Sequence, residues 1–181
     1  MGTEAVQNER GSVKVAQDER TVTDQKVARQ PDGPGKRIGK KGEISGIGRV
    51  APGGAKAFRE RLPQVQAEAG YWEKRVGTVH DFRVLLFDND TRILFTIVFD
   101  GDFKPYIKDI LTEAAPWLDQ IFVGVWDGFK GSNDAESVER LLGCSFSAEL
   151  FFIANSDVSV HDVAKMQRLS SAFSEMLDAS S

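Results

Sequence analysis

The 181-residue chain has one cysteine, two histidines and no long apolar run. A single cysteine, Cys144, excludes an intrachain disulfide and a metal site built from several cysteines. Two histidines without HxH or HxxxH spacing are too few for a multi-histidine centre, so we predict no metal site. No window approaches the roughly 18 uninterrupted apolar residues that a membrane-spanning helix needs.

Large apolar residues are also missing from the first 42 positions. After the initiator methionine this stretch contains no Trp, Phe, Tyr, Leu or Met, and one isoleucine. Such a segment cannot bury enough apolar surface to offset the entropy that ordering costs. We therefore predict a flexible polar N-terminal arm over residues 1–42, which could order on a protein partner, followed by one domain over residues 43–181.

Charge is unevenly distributed between these two parts. Of the 23 Lys/Arg and 27 Asp/Glu residues, nine and six lie in residues 1–42, which leaves 14 against 21 in the domain. An acidic domain argues against nucleic-acid binding as the main role. The basic run KRIGKK at residues 36–41 could contact phosphate groups, but a solvated linker is the commoner state of such a run. The opening MGTEAVQNERGS lacks the apolar core of a signal peptide, so we expect a cytoplasmic location.

The strongest structural signal is a β-hairpin. Two apolar runs, residues 79–87 and 92–99, flank the turn-forming sequence DNDT. Folding about Asn89-Asp90 pairs Leu86 with Ile93, Val84 with Phe95, Phe82 with Ile97 and His80 with Phe99. This face is almost wholly apolar, and we expect it to pack under helices.

The opposite face of the hairpin is mixed. It pairs Phe87 with Arg92, Leu85 with Leu94, Arg83 with Thr96 and Asp81 with Val98. A slip of one residue would destroy this segregation of faces, so the register is well specified. The mixed face must therefore meet water, a ligand cavity or another subunit.

The elements around the hairpin complete an α+β pattern. Residues 43–50, with two glycines that suggest close backbone approach, predict a strand, and a helix with Pro63 inside it closes at Gly70. After the hairpin, Asp102 is a candidate cap for a helix that Pro116 ends or bends, and the apolar run at residues 121–126 predicts a strand. The order βαββαβ is the ferredoxin-like arrangement.

The C-terminal part adds a helix at residues 134–142, a strand at residues 148–154 and a last helix. That helix begins at Ser159, with Asp162 three positions later in a sequence like a capping box. Its apolar stripe consists of Val163, Met166, Leu169, Phe173 and Met176 or Leu177.

The combination of a ferredoxin-like core and a one-sided polar sheet resembles the dimeric α+β barrel superfamily. The stretch GTVHDFRVLLFDNDTRILFTIVFDGDFKPYIKDI is similar to bacterial domains of unassigned function within it, over roughly residues 44–179. The resemblance implies a homodimer in which two sheets face each other. Superfamily members include dye-decolorising haem peroxidases, haem-degrading enzymes and cofactor-free monooxygenases, so haem is a candidate cofactor and the chemistry stays open.

Two residues are candidates for catalysis. Asp127 lies in GVWDG, which matches the GxxDG pattern of dye-decolorising peroxidases, whose aspartate assists peroxide cleavage; a turn at Asp127-Gly128 is the commoner explanation. His80 could serve as haem ligand or general base because imidazole titrates near neutrality. The predicted register, however, favours a histidine packed beside Phe99 in the core.

Three residues on the mixed sheet face are candidates for ligand binding: Arg83, Asp81 and Thr96. An arginine among apolar neighbours could bind a carboxylate or a haem propionate, and an Asp81–Arg83 ion pair accounts for the same pattern equally well. The sequence thus supports two hypotheses. One is a small-molecule or haem-binding protein, with oxidoreductase activity as an option; the other is a non-catalytic module that dimerises through its sheet and docks a partner with the arm.

Overall fold

The computed structural model describes residues 26–179 as an α+β fold. Its strands are β1 (Ala28–Arg29), β2 (Lys36–Ile38), β3 (Lys41–Arg49), β4 (Val79–Phe87), β5 (Arg92–Asp100) and β6 (Ser145–Phe146), and its helices are α1 (Gly54–Val76), α2 (Phe103–Glu113), α3 (Ala115–Phe122), α4 (Ala135–Gly143) and α5 (Val160–Ala179). The six strands form one antiparallel sheet in the order β1-β2-β3-β5-β4, with β6 also paired to β3. This arrangement is compatible with a ferredoxin-like fold.

The predicted hairpin forms, and its register is confirmed over seven of the eight pairs. Phe82 faces Ile97 and Arg83 faces Thr96, as expected. The exception is His80, because a β-bulge between Val79 and Asp81 sets Val79 opposite Phe99. A bulge re-aims the side chain it carries. The prediction that His80 packs beside Phe99 in the core is therefore wrong.

The inner face of the sheet carries the hydrophobic core. The inward residues of β5, Ile93, Phe95, Ile97 and Phe99, are all buried and pack with side chains of α1, α2 and α3. The other face of the hairpin is half-buried or exposed. The predicted division into a helix-covered apolar face and an open mixed face is confirmed.

The two glycines of β3 that were predicted to mark close approach do so. A Cβ atom at Gly46 would lie 2.3 Å from the ring of Phe95, and one at Gly48 would lie 2.3 Å from the ring of Trp126. The missing side chains therefore let two large aromatic rings of the core lie directly on the strand.

One predicted helix end is wrong, and the predicted cap of α2 lies at the N-cap position without a side-chain hydrogen bond. Helix α1 does not close at Gly70 but continues to Val76 and ends at Gly77, whose φ of 65° gives the left-handed cap. The helix also runs through Pro63 without ending. Asp102 precedes α2 without capping it by its side chain; instead, Asp32 accepts hydrogen bonds from the backbone N–H groups of Phe103 and Lys104.

Neither of the two further predicted strands forms. Ile121 and Phe122 are the last residues of α3, and Trp126 makes one isolated bridge with Val50, so residues 121–126 are not a strand. A short apolar run suits a buried helix end as well as a strand. The place beside β3 is taken by β2 and β6, and residues 148–154 are irregular after β6 ends at Phe146.

The predicted helix at residues 134–142 is confirmed as α4, which Asp134 caps by accepting from the backbone N–H of Ser137 at 2.9 Å. The capping box of α5 is also confirmed. Asp162 Oδ2 accepts from the Ser159 N–H at 3.0 Å, and the Asp162 N–H donates to Ser159 Oγ at 3.1 Å.

The predicted arm divides at the limit of the described residues. Residues 1–25 lie outside the described part of the chain, so the prediction of a flexible segment stays a prediction there. Residues 26–42 contain β1, β2 and the start of β3, and Arg37, Lys40 and Lys41 pair with Asp102, Asp162 and Asp100. The basic run is therefore not a solvated linker. No helix among residues 26–179 is long and apolar enough to cross a membrane.

Candidate functional site

One cavity of the described fold is a mostly apolar cleft between α1 and β4, called here the α1–β4 cleft. Because β4 is an edge strand, nothing in the sheet covers its outer side, and α1 lies over the core next to it. The opening has a volume of about 740 Å³. This is the size of sites that hold drug-sized molecules.

The walls of the cleft are mostly apolar. Helix α1 contributes one wall at helical spacing, β4 contributes the floor, and α2 and α3 close the inner end. The apolar lining residues are Phe58, Leu62, Val65, Ala69, Trp72, Val76, Val79, Phe82, Val84, Leu85, Ile110, Ala114, Trp117 and Ile121. Both tryptophan N–H groups are already satisfied, by Glu68 for Trp72 and by the Val65 carbonyl for Trp117. The rings therefore present apolar surface to the opening.

Asp81 and Arg83 lie at the mouth of the cleft and bind each other. Arg83 Nε is 3.0 Å from Asp81 Oδ2 and 3.2 Å from Oδ1. Of the two explanations that the sequence leaves open, the geometry favours the ion pair. An arginine whose charge is balanced in this way selects less strongly for an anionic ligand.

Thr96 does not line the cleft. It lies opposite Arg83 and Ser45 in the middle of the open sheet face. The structure therefore brings three of the five predicted site residues, His80, Asp81 and Arg83, to one cavity and leaves Thr96 beside it.

His80 lines the end of the cleft, but its ring nitrogens point to a buried charge cluster. His80 Nε2 lies 2.7 Å from both Asp100 Oδ1 and Lys41 Nζ, and Nδ1 lies 3.3 Å from Lys41 Nζ. The imidazole thus lies within hydrogen-bond distance of both the carboxylate and the ammonium. Asp100 Oδ2 accepts from the Val160 N–H at the start of α5, at 2.7 Å. The cluster thus joins β3, β4, β5 and α5.

Lys41, like Asp100, is a member of this cluster that the sequence did not reveal. Its side chain is 4% exposed, and Nζ also donates to the Val158 carbonyl. Burial lowers the pKa of Lys41 below its usual range, and the charge of Asp100 acts in the opposite direction. Its position at the end of a basic run gave no signal of burial, because lysine runs are normally solvated.

Asp127 lies in a second groove, away from His80. This groove, the arginine groove, is lined by Arg49, Arg92, Arg140 and Asp127 among others. The Asp127 N–H donates to the Arg49 carbonyl at 2.9 Å, and Gly128 follows with a φ of 77°. The geometry is that of a turn leaving the bridge at Trp126, which is the commoner of the two explanations given by the sequence.

These residues do not fit haem. An axial ligand needs a free imidazole nitrogen facing a cavity. Both nitrogens of His80 are taken by Asp100 and Lys41, and His161 is exposed in the first turn of α5. Asp127 lines a different groove from His80, so neither of these two cavities combines a histidine with that acid. Residues 26–179 also contain no cluster of three or more His, Cys, Asp or Glu side chains suited to a metal ion.

Comparisons with known proteins give no relative for this chain: no family model, no curated protein and no solved structure matches it.

Proposed function

We propose that this protein is a small-molecule-binding module whose α1–β4 cleft takes an apolar, uncharged ligand. The observation that carries the proposal is the cleft itself, an opening of about 740 Å³ with two tryptophans and a largely aliphatic lining. Leaving such surface in water is unfavourable by about 25 cal/mol for each Å² that a ligand would cover.

The polar groups of the cleft support an uncharged ligand and binding without catalysis. Arg83 and Asp81 balance each other at the mouth, so neither charge selects strongly for a ligand of the opposite sign. The ring nitrogens of His80 form hydrogen bonds with Asp100 and Lys41, so the imidazole is not positioned to take a proton from a ligand in the cleft. A general base must reach the proton that it abstracts.

The experiment is a fluorescence titration of the full chain with 1-aminoanthracene, a neutral apolar probe. Ala69 lines the cleft, whereas Ala67 lies on the same helix and is exposed outside it. We expect saturable binding to the wild type and to the control Ala67→Phe. Ala69→Phe should weaken binding at least tenfold, because the added ring fills the cleft.

Equal binding by the Ala69→Phe and Ala67→Phe variants would contradict the proposal, as would the absence of saturable binding to the wild type. The thermal midpoints of both variants provide the folding control. Neither substitution touches the buried core, since neither Ala67 nor Ala69 is buried.

A second candidate function is assembly through the open sheet face, as in a dimeric α+β barrel. It is favoured by the exposure of Leu85 and Phe87, which are 46% and 36% exposed on that face. Two such faces packed together would cover both side chains. The wild type should then be a dimer in solution and the Leu85→Lys variant a monomer. An unchanged solution mass would remove this candidate. Docking by the N-terminal arm, predicted over residues 1–42, stays a prediction, because residues 1–25 lie outside the described part of the chain.

A further inference from the structure

The arginine groove lies outside the α1–β4 cleft, where β3 ends and β5 begins. Its volume is about 930 Å³, which is room for a small organic molecule. One of its three arginines, Arg140, already pairs with Glu136 at 3.3 Å. The lining also includes Trp126 and three apolar residues: Ile47, Val50 and Pro52.

The other two arginines of the groove lie directly opposite each other on neighbouring strands. Arg49 in β3 pairs with Arg92 in β5. The next N–H along β3, that of Val50, donates to the Thr91 carbonyl at 2.9 Å, so the two arginines form a non-hydrogen-bonded pair. In such a pair the opposite side chains are closest, and like charges there destabilise the sheet.

No acidic side chain among residues 26–179 balances this pair. Within that range neither Arg49 nor Arg92 forms an ion pair or a side-chain hydrogen bond, and the guanidinium carbon of Arg92 lies 5.4 Å from the ring centre of Phe87. Asp127 lines the same groove but pairs with none of its arginines. The groove therefore keeps an excess of positive charge.

Trp126 adds an unpaired hydrogen-bond donor to the groove. The residue is 3% exposed, and its ring lies against Gly48. Unlike the other two tryptophans, its N–H has no partner in the described part of the chain. Since it is not one of the fully buried polar atoms without a partner there, it is reached from the groove. The N–H of a buried tryptophan normally finds an acceptor, so this one points to an acceptor that a ligand supplies.

We propose that the arginine groove binds a small organic phosphate. The phosphate group lies between Arg49 and Arg92, and the Trp126 N–H donates to an oxygen of the ligand. A phosphate group carries close to two negative charges at neutral pH and offers several acceptor oxygens, which guanidinium groups bind with paired hydrogen bonds. A phosphate ion alone would leave most of the groove empty, so the organic part covers the apolar lining. This site does not depend on the function proposed for the α1–β4 cleft.

The test compares three compounds that share a benzene ring: phenyl phosphate, benzoate and phenol. The full chain carries 5-fluorotryptophan, and sodium chloride keeps the ionic strength constant. The ¹⁹F signal of Trp126 reports on the groove, and those of Trp72 and Trp117 report on the cleft. We expect phenyl phosphate to shift the Trp126 signal saturably and to bind at least tenfold more tightly than benzoate, while phenol leaves this signal unchanged. Equal binding of benzoate would overturn the assignment to phosphate, and a Trp126 signal that phenyl phosphate does not move would overturn the site.

A pair of double variants tests the two arginines. Arg49→Gln/Arg92→Gln should weaken the binding of phenyl phosphate at least tenfold. The control Arg29→Gln/Arg168→Gln removes the same charge from two exposed arginines outside the groove and should bind as the wild type does. Without ligand, the groove variant should unfold at a temperature no lower than the control, because it loses the repulsion between like charges. Undiminished binding by the groove variant, an equal loss in the control, or a lower unfolding temperature of the groove variant would each overturn the proposal.

Discussion

Asp100 connects three parts of the fold through one carboxylate. Its Oδ1 accepts from His80 in the bulge of β4, its Oδ2 accepts from the first turn of α5, and it is the acidic partner of Lys41 at 3.8 Å. Because the Lys41 side chain is 4% exposed, water cannot replace this partner. A buried charge that loses its counter-ion is strongly destabilising.

Asp100→Asn should therefore lower the free energy of unfolding by roughly 3 kcal/mol. The substitution keeps the shape of the side chain but leaves the ammonium of Lys41 without its balancing charge. Urea unfolding measures the loss. Asp109→Asn, on the exposed side of α2, is the matched control and should change stability by less than about 0.5 kcal/mol. A similar small effect at Asp100 would show that Lys41 does not depend on it.

The stability of the protein should depend on pH through the carboxyl group of Glu43. Burial raises the pKa of its carboxyl above 4.5, although the backbone N–H groups of Ala148 and Lys36 donate to Oε1 and act in the opposite direction. A carboxyl whose folded-state pKa is raised binds more protons when folded, so its contribution is complete below its unfolded pKa and is lost as the pH rises through the folded pKa.

The wild type should therefore lose stability relative to Glu43→Gln as the pH rises from about 4 towards 7. Glutamine keeps an oxygen for the two backbone donors and does not titrate. The measurement is the difference in unfolding free energy between the two proteins at several pH values. A difference that is constant, or that grows in favour of the wild type, would contradict the burial of this carboxylate.

Helix α1 forms one wall of the α1–β4 cleft, and the residue at which the helix ends decides how far this wall extends. Gly70 lies inside the helix with open space around its Cα, whereas Gly77 holds the left-handed cap at φ 65°. The first glycine weakens a helix, and the second is suited to ending one.

Opposite effects on stability follow at these two glycines. Gly70→Ala should stabilise the protein by roughly 0.5–1 kcal/mol, because alanine costs less entropy in a helix interior. Gly77→Ala should destabilise it by about 1 kcal/mol, because a Cβ disfavours positive φ. Thermal unfolding of both variants measures the difference, and destabilisation by Gly70→Ala would mean that the helix ends where the sequence suggested.

The elements differ in how well the sequence predicts them, and the reason is physical. The hairpin is predictable because its alternation of apolar and polar residues allows one register, apart from the bulge at His80. The run at residues 121–126 is not, because six apolar residues fit a helix end or a strand equally well. The segment at residues 148–154 has strand composition, yet the Ala148 N–H is taken by the Glu43 carboxylate rather than by a strand.

For the whole molecule, the site depends on packing that no local pattern encodes. Asp81 and Arg83 can be placed on one face from the hairpin alone, and their ion pair was one of two expected outcomes. The cleft arises from where α1 lies relative to an edge strand, and the cluster of Lys41, His80 and Asp100 joins residues far apart in the chain. Neither leaves a motif in the sequence.

The three tryptophans report on ligand binding in the α1–β4 cleft. Trp72 and Trp117 line the α1–β4 cleft, whereas Trp126 is buried beside Gly48 at the arginine groove. The measurement is a ¹⁹F NMR titration of the full chain, labelled with 5-fluorotryptophan, with 1-aminoanthracene. The three signals are assigned by single Trp→Phe substitutions. Saturable shifts of the Trp72 and Trp117 signals, with the Trp126 signal unchanged, are the predicted result; equal shifts of all three, or no saturation, would contradict binding in this cleft.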